Sequence, residues 1–192
     1  MGILLDHKKT IIAGFVLLAV IVGAAVGTGG NLPGLFDVTR YLHVLAGIVW
    51  IGLLYYFNFV QVPSLGSVTP ETKADIFKEG NIVRRALFWF RYGALATLIF
   101  GLVLYYGLVT NGLDHAGGKD IMIGATFGII MWFNVTFIIW PNQKKVIGIV
   151  EATADEKAAA GKKALMASRI NTLLSIPMLF LMFSSTHFAL FN

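Results

Sequence analysis

YLHVLAGIVWIGLLYYFNFVQVP, residues 41–63, runs for 23 residues without one Asp, Glu, Lys or Arg. An α-helix rises about 1.5 Å per residue and a bilayer's hydrocarbon core is about 30 Å thick, so about 20 apolar residues are enough to cross it. The stretch therefore reads as a membrane-spanning helix. Working outward from it, similar runs predict five spans, at about 11–29, 41–62, 86–109, 121–140 and 165–190. The first follows Lys8 and Lys9 as a signal peptide would. Its apolar run exceeds the usual h-region of about 7–15 residues, and Gly27-Thr28-Gly29-Gly30 is a poor cleavage site, so it reads as a retained span.

The composition agrees. Hydrophobic residues make up 57% of the chain, charged residues only 13%, and the mean hydropathy is +0.76, beyond the range of ordinary soluble domains. The expected fold is an all-α polytopic membrane helix bundle with five transmembrane helices, forming a single membrane domain over 1–192. Cysteine is absent, which excludes disulfides, thiolate metal sites, iron–sulfur clusters and CxxCH haem attachment.

The chain's Lys and Arg residues fall unevenly about these spans. Lys8, Lys9, Lys73, Lys78, Arg84, Arg85, Lys144, Lys145, Lys157, Lys162 and Lys163 lie in the N-terminal tail and the loops 63–85 and 141–164, and Arg91 and Arg169 lie just inside spans on the same side. Only Arg40 and Lys119 lie opposite. The positive-inside rule then puts the N-terminus in the cytoplasm and the C-terminus outside, as expected of a multi-pass membrane protein. These charges set topology and meet anionic lipid, so the +5 net charge does not argue for a nucleic-acid partner. Both inner loops read as helical. Thr69 caps a segment opening with Pro70 and Glu71, and Glu151 to Lys163 is rich in Ala, Lys and Glu. No GxxxxGK[ST], HExxH or Ser–His–Asp order occurs.

Depth makes the histidines informative. His43 lies about one turn inside the outer end of the second span and His187 about one turn inside the outer end of the fifth, while His115 falls in the outer loop between spans three and four. Two imidazoles at matching depth can hold one metal or haem iron. Each alone can also simply place a polar tip at the headgroups. His43, Gly47, Trp50, Leu54, Phe57 and Gln61 share a helix face with Asn58 at its edge, a mixture unlike a lipid-facing surface. Asn58, Asn134 and Asn171 place polar groups on three spans, which serves interhelical hydrogen bonding or a polar path. Asp and Glu are absent from the span interiors. Pro177 removes one backbone donor from the fifth span and frees the carbonyl of Leu173, predicting a bend or water there. Gly23-xxx-Gly27 and Gly124-xxx-Gly128 are close-packing signals.

The 41–63 stretch resembles the membrane domain, the N-terminal part, of bacterial urate hydroxylases (urate oxidases) linked to cytochrome c. The likeness recurs in order at Pro70-Glu-Thr-Lys73, Arg85-Ala-Leu-Phe-Trp-Phe-Arg91, Trp140-Pro-Asn-Gln143 and Ser168-Arg-Ile-Asn-Thr-Leu-Leu-Ser-Ile-Pro-Met-Leu-Phe180, ending at His187. The pattern His43…Trp50-x-Gly52 is also similar to a wider cytochrome-b-like membrane family that includes copper-resistance proteins and a haem-containing protoporphyrinogen oxidase. The resemblance implies a haem b site with His43 and His187 as iron ligands, His115 standing in for one of them, and Gly47, Trp50, Phe188 and Arg40 around the group. Two ligands would favour electron transfer, and one with an open position would permit substrate oxidation. With no cysteine for a covalent haem, electrons would pass through a separate cytochrome c or other redox protein. The further expected partners are the lipid bilayer and either a second copy or a larger membrane complex. A cofactor-free metal or solute transport protein, or a structural subunit of a membrane complex, is the alternative.

Overall fold

Helix ends in this chain are written locally. In a computed structural model, which describes residues 2–110 and 117–191, Asp6 caps α1 (His7–Gly27) by accepting from the amides of Lys8 and Lys9, and Gly29 at φ +94° follows its end. Thr69 caps the short α4 (Pro70–Ile76), with Pro70 in the first turn as expected. The capping box of Thr153 and Glu156 opens α8 (Ala154–His187), a single helix that absorbs both the expected loop helix and the fifth span. Gly148 at φ +73° ends α7 (Trp140–Val146).

Among the described residues five helices are long and apolar enough to cross a membrane: α1; Leu35–Ser64; Ile82–Thr110; Gly118–Val146; and α8. No strand occurs among the described residues. Leu35–Ser64 consists of α2 (Leu35–Tyr55), a π-helical segment Tyr56–Gln61 and α3 (Val62–Ser64). Ile82–Thr110 is α5. Gly118–Val146 consists of α6 (Gly118–Phe133), a second π-helical segment Asn134–Ile139, and α7. A π turn inserts an extra residue and redirects the faces that follow it, a distortion often kept at functional positions. Both fall where the sequence places an asparagine in a span.

The chain divides into two compact units, one up to Val38 and one from Thr39 onward. In the first, α1 holds no buried residue, and neither Gly23 nor Gly27 has a neighbour within 4 Å of an added Cβ. In the second, Trp50, Leu54 and Phe57 belong to one buried cluster with Val83, Leu87, Phe90 and Ala94 of α5 and with Met131, Val135 and Ile139. Phe57 meets Phe90 edge-on at 5.3 Å. The stripe expected along residues 43–61 is thus an inward one, its middle buried.

Helix α8 turns Ala160, Ala164, Ala167, Asn171, Ser175, Met178, Leu181 and Ser184 inward, at spacings of three and four. Small residues there let α6 approach closely. A Cβ on Gly124 would lie 3.3 Å from that of Leu181, while one on Gly128 would meet nothing, so half of that glycine pair is used in packing. The helix continues through Pro177. Arg84 donates to the carbonyls of Phe77 (3.0 Å) and Ile147 (2.8 Å), and the Arg91 guanidinium lies 3.3 Å above the Trp140 ring.

Candidate functional site

His43 is seated by α5. Gly93, Thr97 and Gly101 follow one another at spacings of four and so form one face of that helix. A Cβ on Gly93 would lie 3.3 Å from the Trp50 backbone nitrogen, and one on Gly101 only 2.9 Å from His43 Cε1. Glycine is needed at 101 for the imidazole to lie where it does. Between them the carbonyl of Thr97 lies 2.9 Å from His43 Nδ1. A carbonyl only accepts, so Nδ1 carries the hydrogen and donates it, which leaves Nε2 of the neutral ring with a free lone pair. Gly47 lies on the same interface, 3.9 Å from the Thr97 methyl when given a Cβ.

His187 arrives at a similar chemical state by a different route. Its ring stacks on that of Phe183 one turn back, at 4.0 Å and 11°, and Nδ1 lies 2.9 Å from the Phe183 carbonyl. A carbonyl only accepts, so the contact calls for a hydrogen on Nδ1, the tautomer of the neutral ring that leaves Nε2 as the acceptor. This side chain is exposed, whereas His43 is half-buried. Of the three neighbouring hydroxyls, only Thr186 touches the imidazole (2.9 Å). Ser185 bonds the Met182 carbonyl, and Ser184 turns inward to Asp120.

No hydrogen bond or ring contact joins the two imidazoles among the described residues. Their heights nevertheless correspond. Tyr55 meets Ser175 and Asn58 meets Ser168, so α2 and α8 run antiparallel where they touch. His43 lies twelve residues before Tyr55 and His187 twelve after Ser175. Each is therefore about 18 Å along its helix from the shared contact, in the same direction.

The remaining expected site residues are dispersed around this level. Trp50 is 2% exposed and its indole N–H has no partner among the described residues. Arg40 is exposed on α2, three residues before His43, and Phe188 packs edge-on against Phe180 and Phe183. His115 lies outside the described residues. Among the described residues no group of three or more His, Asp and Glu gathers as a metal site.

The asparagines of the long apolar helices divide into two arrangements. Asn134 donates to Asn171 Oδ1 at 2.8 Å, and Asn171 donates to the Met131 carbonyl at 2.9 Å. Asn58 instead donates to Ser168 (2.8 Å) and to the Leu54 carbonyl (2.9 Å). Interhelical bonding, the first of the two expectations, accounts for these groups. Asn58 Oδ1 and Gln61 Oε1, both within the first π segment, stay buried without a partner among the described residues.

Sequence reasoning missed Asp120. The fourth long helix begins three residues earlier than expected, which brings this carboxylate into its first turn with no exposure at all. The local signal was Gly117-Gly118-Lys119-Asp120, a glycine pair able to start a helix with an acid in its first turn.

A family model described as urate oxidase N-terminal matches residues 91–192. No curated protein and no solved structure matches the chain. The matched half contains Arg91, the π segment with Asn134, the inward face of α8 and His187. His43 and the blocks at 41–63 and 70–73 precede it. Because more than half of the sequence is covered, the chain belongs to the urate oxidase N-terminal family.

Proposed function

We propose that this protein is a multi-pass membrane protein of a bacterial inner membrane, with its N-terminus cytoplasmic, that binds haem b at its outer side and works as a redox component. The observation that carries the reading is the shared state of His43 and His187. Each is held through Nδ1 by a main-chain carbonyl, and each keeps a free Nε2, the donor an iron takes. The residues fit the group in a second respect: Trp50 offers a buried N–H without a partner among the described residues, and Arg40 supplies a cation three residues from His43. Bound there, haem b would supply one-electron chemistry. The chain's own contribution is to fix both rings and, through Trp50, Leu54 and Phe57, to keep water from the inner side of the site. Electrons would be exchanged with a cytochrome c or other redox protein, in support of transfer or of oxidation of a small substrate related to urate.

Reduced-minus-oxidised visible spectra of the protein purified in detergent test this. A b-type band is expected, altered or lost in His43→Ala and in His187→Ala. No band in protein produced with ample haem would refute the reading, and a band unchanged in both variants would refute the ligand assignment.

One observation favours a second reading, passage or binding of a small solute without a cofactor. The unpartnered oxygens of Asn58 and Gln61 face a buried interior beside a distorted turn. Uptake by reconstituted vesicles that falls in Asn58→Leu, in a preparation lacking the band, would support it.

A further inference from the structure

The Asp120 side chain is fully buried and accepts three hydrogen bonds, from Ser184 Oγ (2.6 Å), the amide of Leu190 (2.8 Å) and the amide of Phe191 (2.9 Å). Its partners lie on either side of His187. Ser184 is in the last turn of α8, three residues before it. Leu190 and Phe191 follow the end of the helix, three and four residues after it. One carboxylate on α6 thus grips the chain above and below the imidazole.

The need for such a grip follows from helix physics. The last turn of a helix has carbonyls without helical partners and frays, and a chain segment beyond it is poorly ordered unless tied down. A ring attached to that turn would wander with it. The residue type also matters. An ionised carboxylate is acceptor-only and can take three donors at once, whereas a hydroxyl or amide at this position would bring hydrogens of its own. A second contact holds the same register. Gly117, at φ +88°, presses its backbone against Ser185, and a Cβ there would overlap the Ser185 carbonyl. The C-terminal end of α8 is therefore fixed to the first turn of α6 at two adjacent points.

We infer that Asp120 is the positioning residue for His187, holding the last turn of α8 and the segment after it so that the imidazole presents Nε2 to a ligand at one fixed place. This rests on the reading of His187 as a haem ligand.

The test uses the full chain in detergent, as wild type, Asp120→Asn, Ser184→Ala and, as a control for destabilisation elsewhere, Asn134→Leu. Amide exchange over residues 188–191 is expected to quicken about tenfold in Asp120→Asn, with overall helicity unchanged. The b-type band of that variant is expected to shift, and its midpoint potential with it. Asn134→Leu should leave both in place. Ser184→Ala removes one of the three donors and should give a smaller displacement in the same direction, which keeps the inference testable if Asp120→Asn fails to fold. A wild-type protein without the band removes the haem reading, and this inference falls with it. A wild-type band that is unchanged in Asp120→Asn or Ser184→Ala, despite faster exchange at 188–191, overturns the positioning role alone and leaves a merely structural clamp.

Discussion

Tyr55 and Ser175 meet at 2.9 Å, and their bond has a direction. Ser175 spends its hydrogen on the Thr172 carbonyl at 2.7 Å, so Tyr55 is the donor and Ser175 the acceptor. The contact registers α2 against α8, and from it both His43 and His187 lie twelve residues toward the same end.

Removing that hydroxyl should cost little stability and still be measurable. Tyr55→Phe loses one interhelical hydrogen bond while Ser175 keeps its bond to Thr172, so the expected loss is about 0.6–1.5 kcal/mol. Unfolding followed by circular dichroism in detergent reads it, and an unchanged midpoint would show that the bond does not set register.

Asn171 should matter more. It is fully buried and serves both Asn134 and the Met131 carbonyl, so Asn171→Leu leaves the buried Asn134 amide without its acceptor and takes one of two donors from a Met131 carbonyl that still accepts from the Asn134 main-chain N–H. A loss of about 2–4 kcal/mol is expected, larger than for Tyr55→Phe, because unpaired buried polar groups carry their desolvation cost uncompensated. The two variants compared in one detergent decide the order.

Two glycine substitutions should behave oppositely. Gly101→Ala puts a methyl 2.9 Å from His43 Cε1 and must displace the ring, with an expected cost of about 1–3 kcal/mol and weaker haem retention. Gly128→Ala meets nothing within 4 Å and should be neutral, or more stable by up to about 1 kcal/mol through helix propensity. Equal thermal midpoints for the two would contradict the seating of His43 on α5.

Gly117→Ala combines a left-handed backbone with overlap on Ser185, and it should lower stability by more than the roughly 1–2 kcal/mol of the conformation alone. Amide exchange at 188–191 should rise in the same variant. Protection retained there would separate Gly117 from the C-terminal contact.

Orientation can be read with single cysteines, since the native chain has none. Leu32→Cys, exposed just before α2, should react with a membrane-impermeant maleimide in intact spheroplasts, and Lys162→Cys only after lysis. The reverse pattern would invert the proposed topology.

Much of the architecture is legible because it depends on neighbours in sequence. An apolar run of about 20 residues is sufficient for a long helix whatever surrounds it, and Thr69 with Pro70 makes a helix start by purely local bonding. Boundaries are less legible. Residues 151–163 read as a loop helix separate from the fifth span, yet from Ala154 onward they continue into the fifth long helix because no breaker stands between Lys163 and Leu165. Asp120 falls just outside the run read as the fourth span, 121–140, and a carboxylate in isolation belongs in water. Three donors from a segment 64 to 71 residues away remove that objection.

From the sequence alone came five long helices, their order, the stripe through His43 and Trp50, and the histidines at matching depth. Each is a matter of composition and periodicity along one helix. Only the tertiary structure decided what each polar group faces: Thr97 for His43, Ser168 for Asn58, Asn171 for Asn134 and Ser184 for Asp120. Helix periodicity says which residues share a side but not which helix lies opposite, and the partner is chosen by close packing between small residues such as Gly93, Gly101 and Gly124, far apart in the chain.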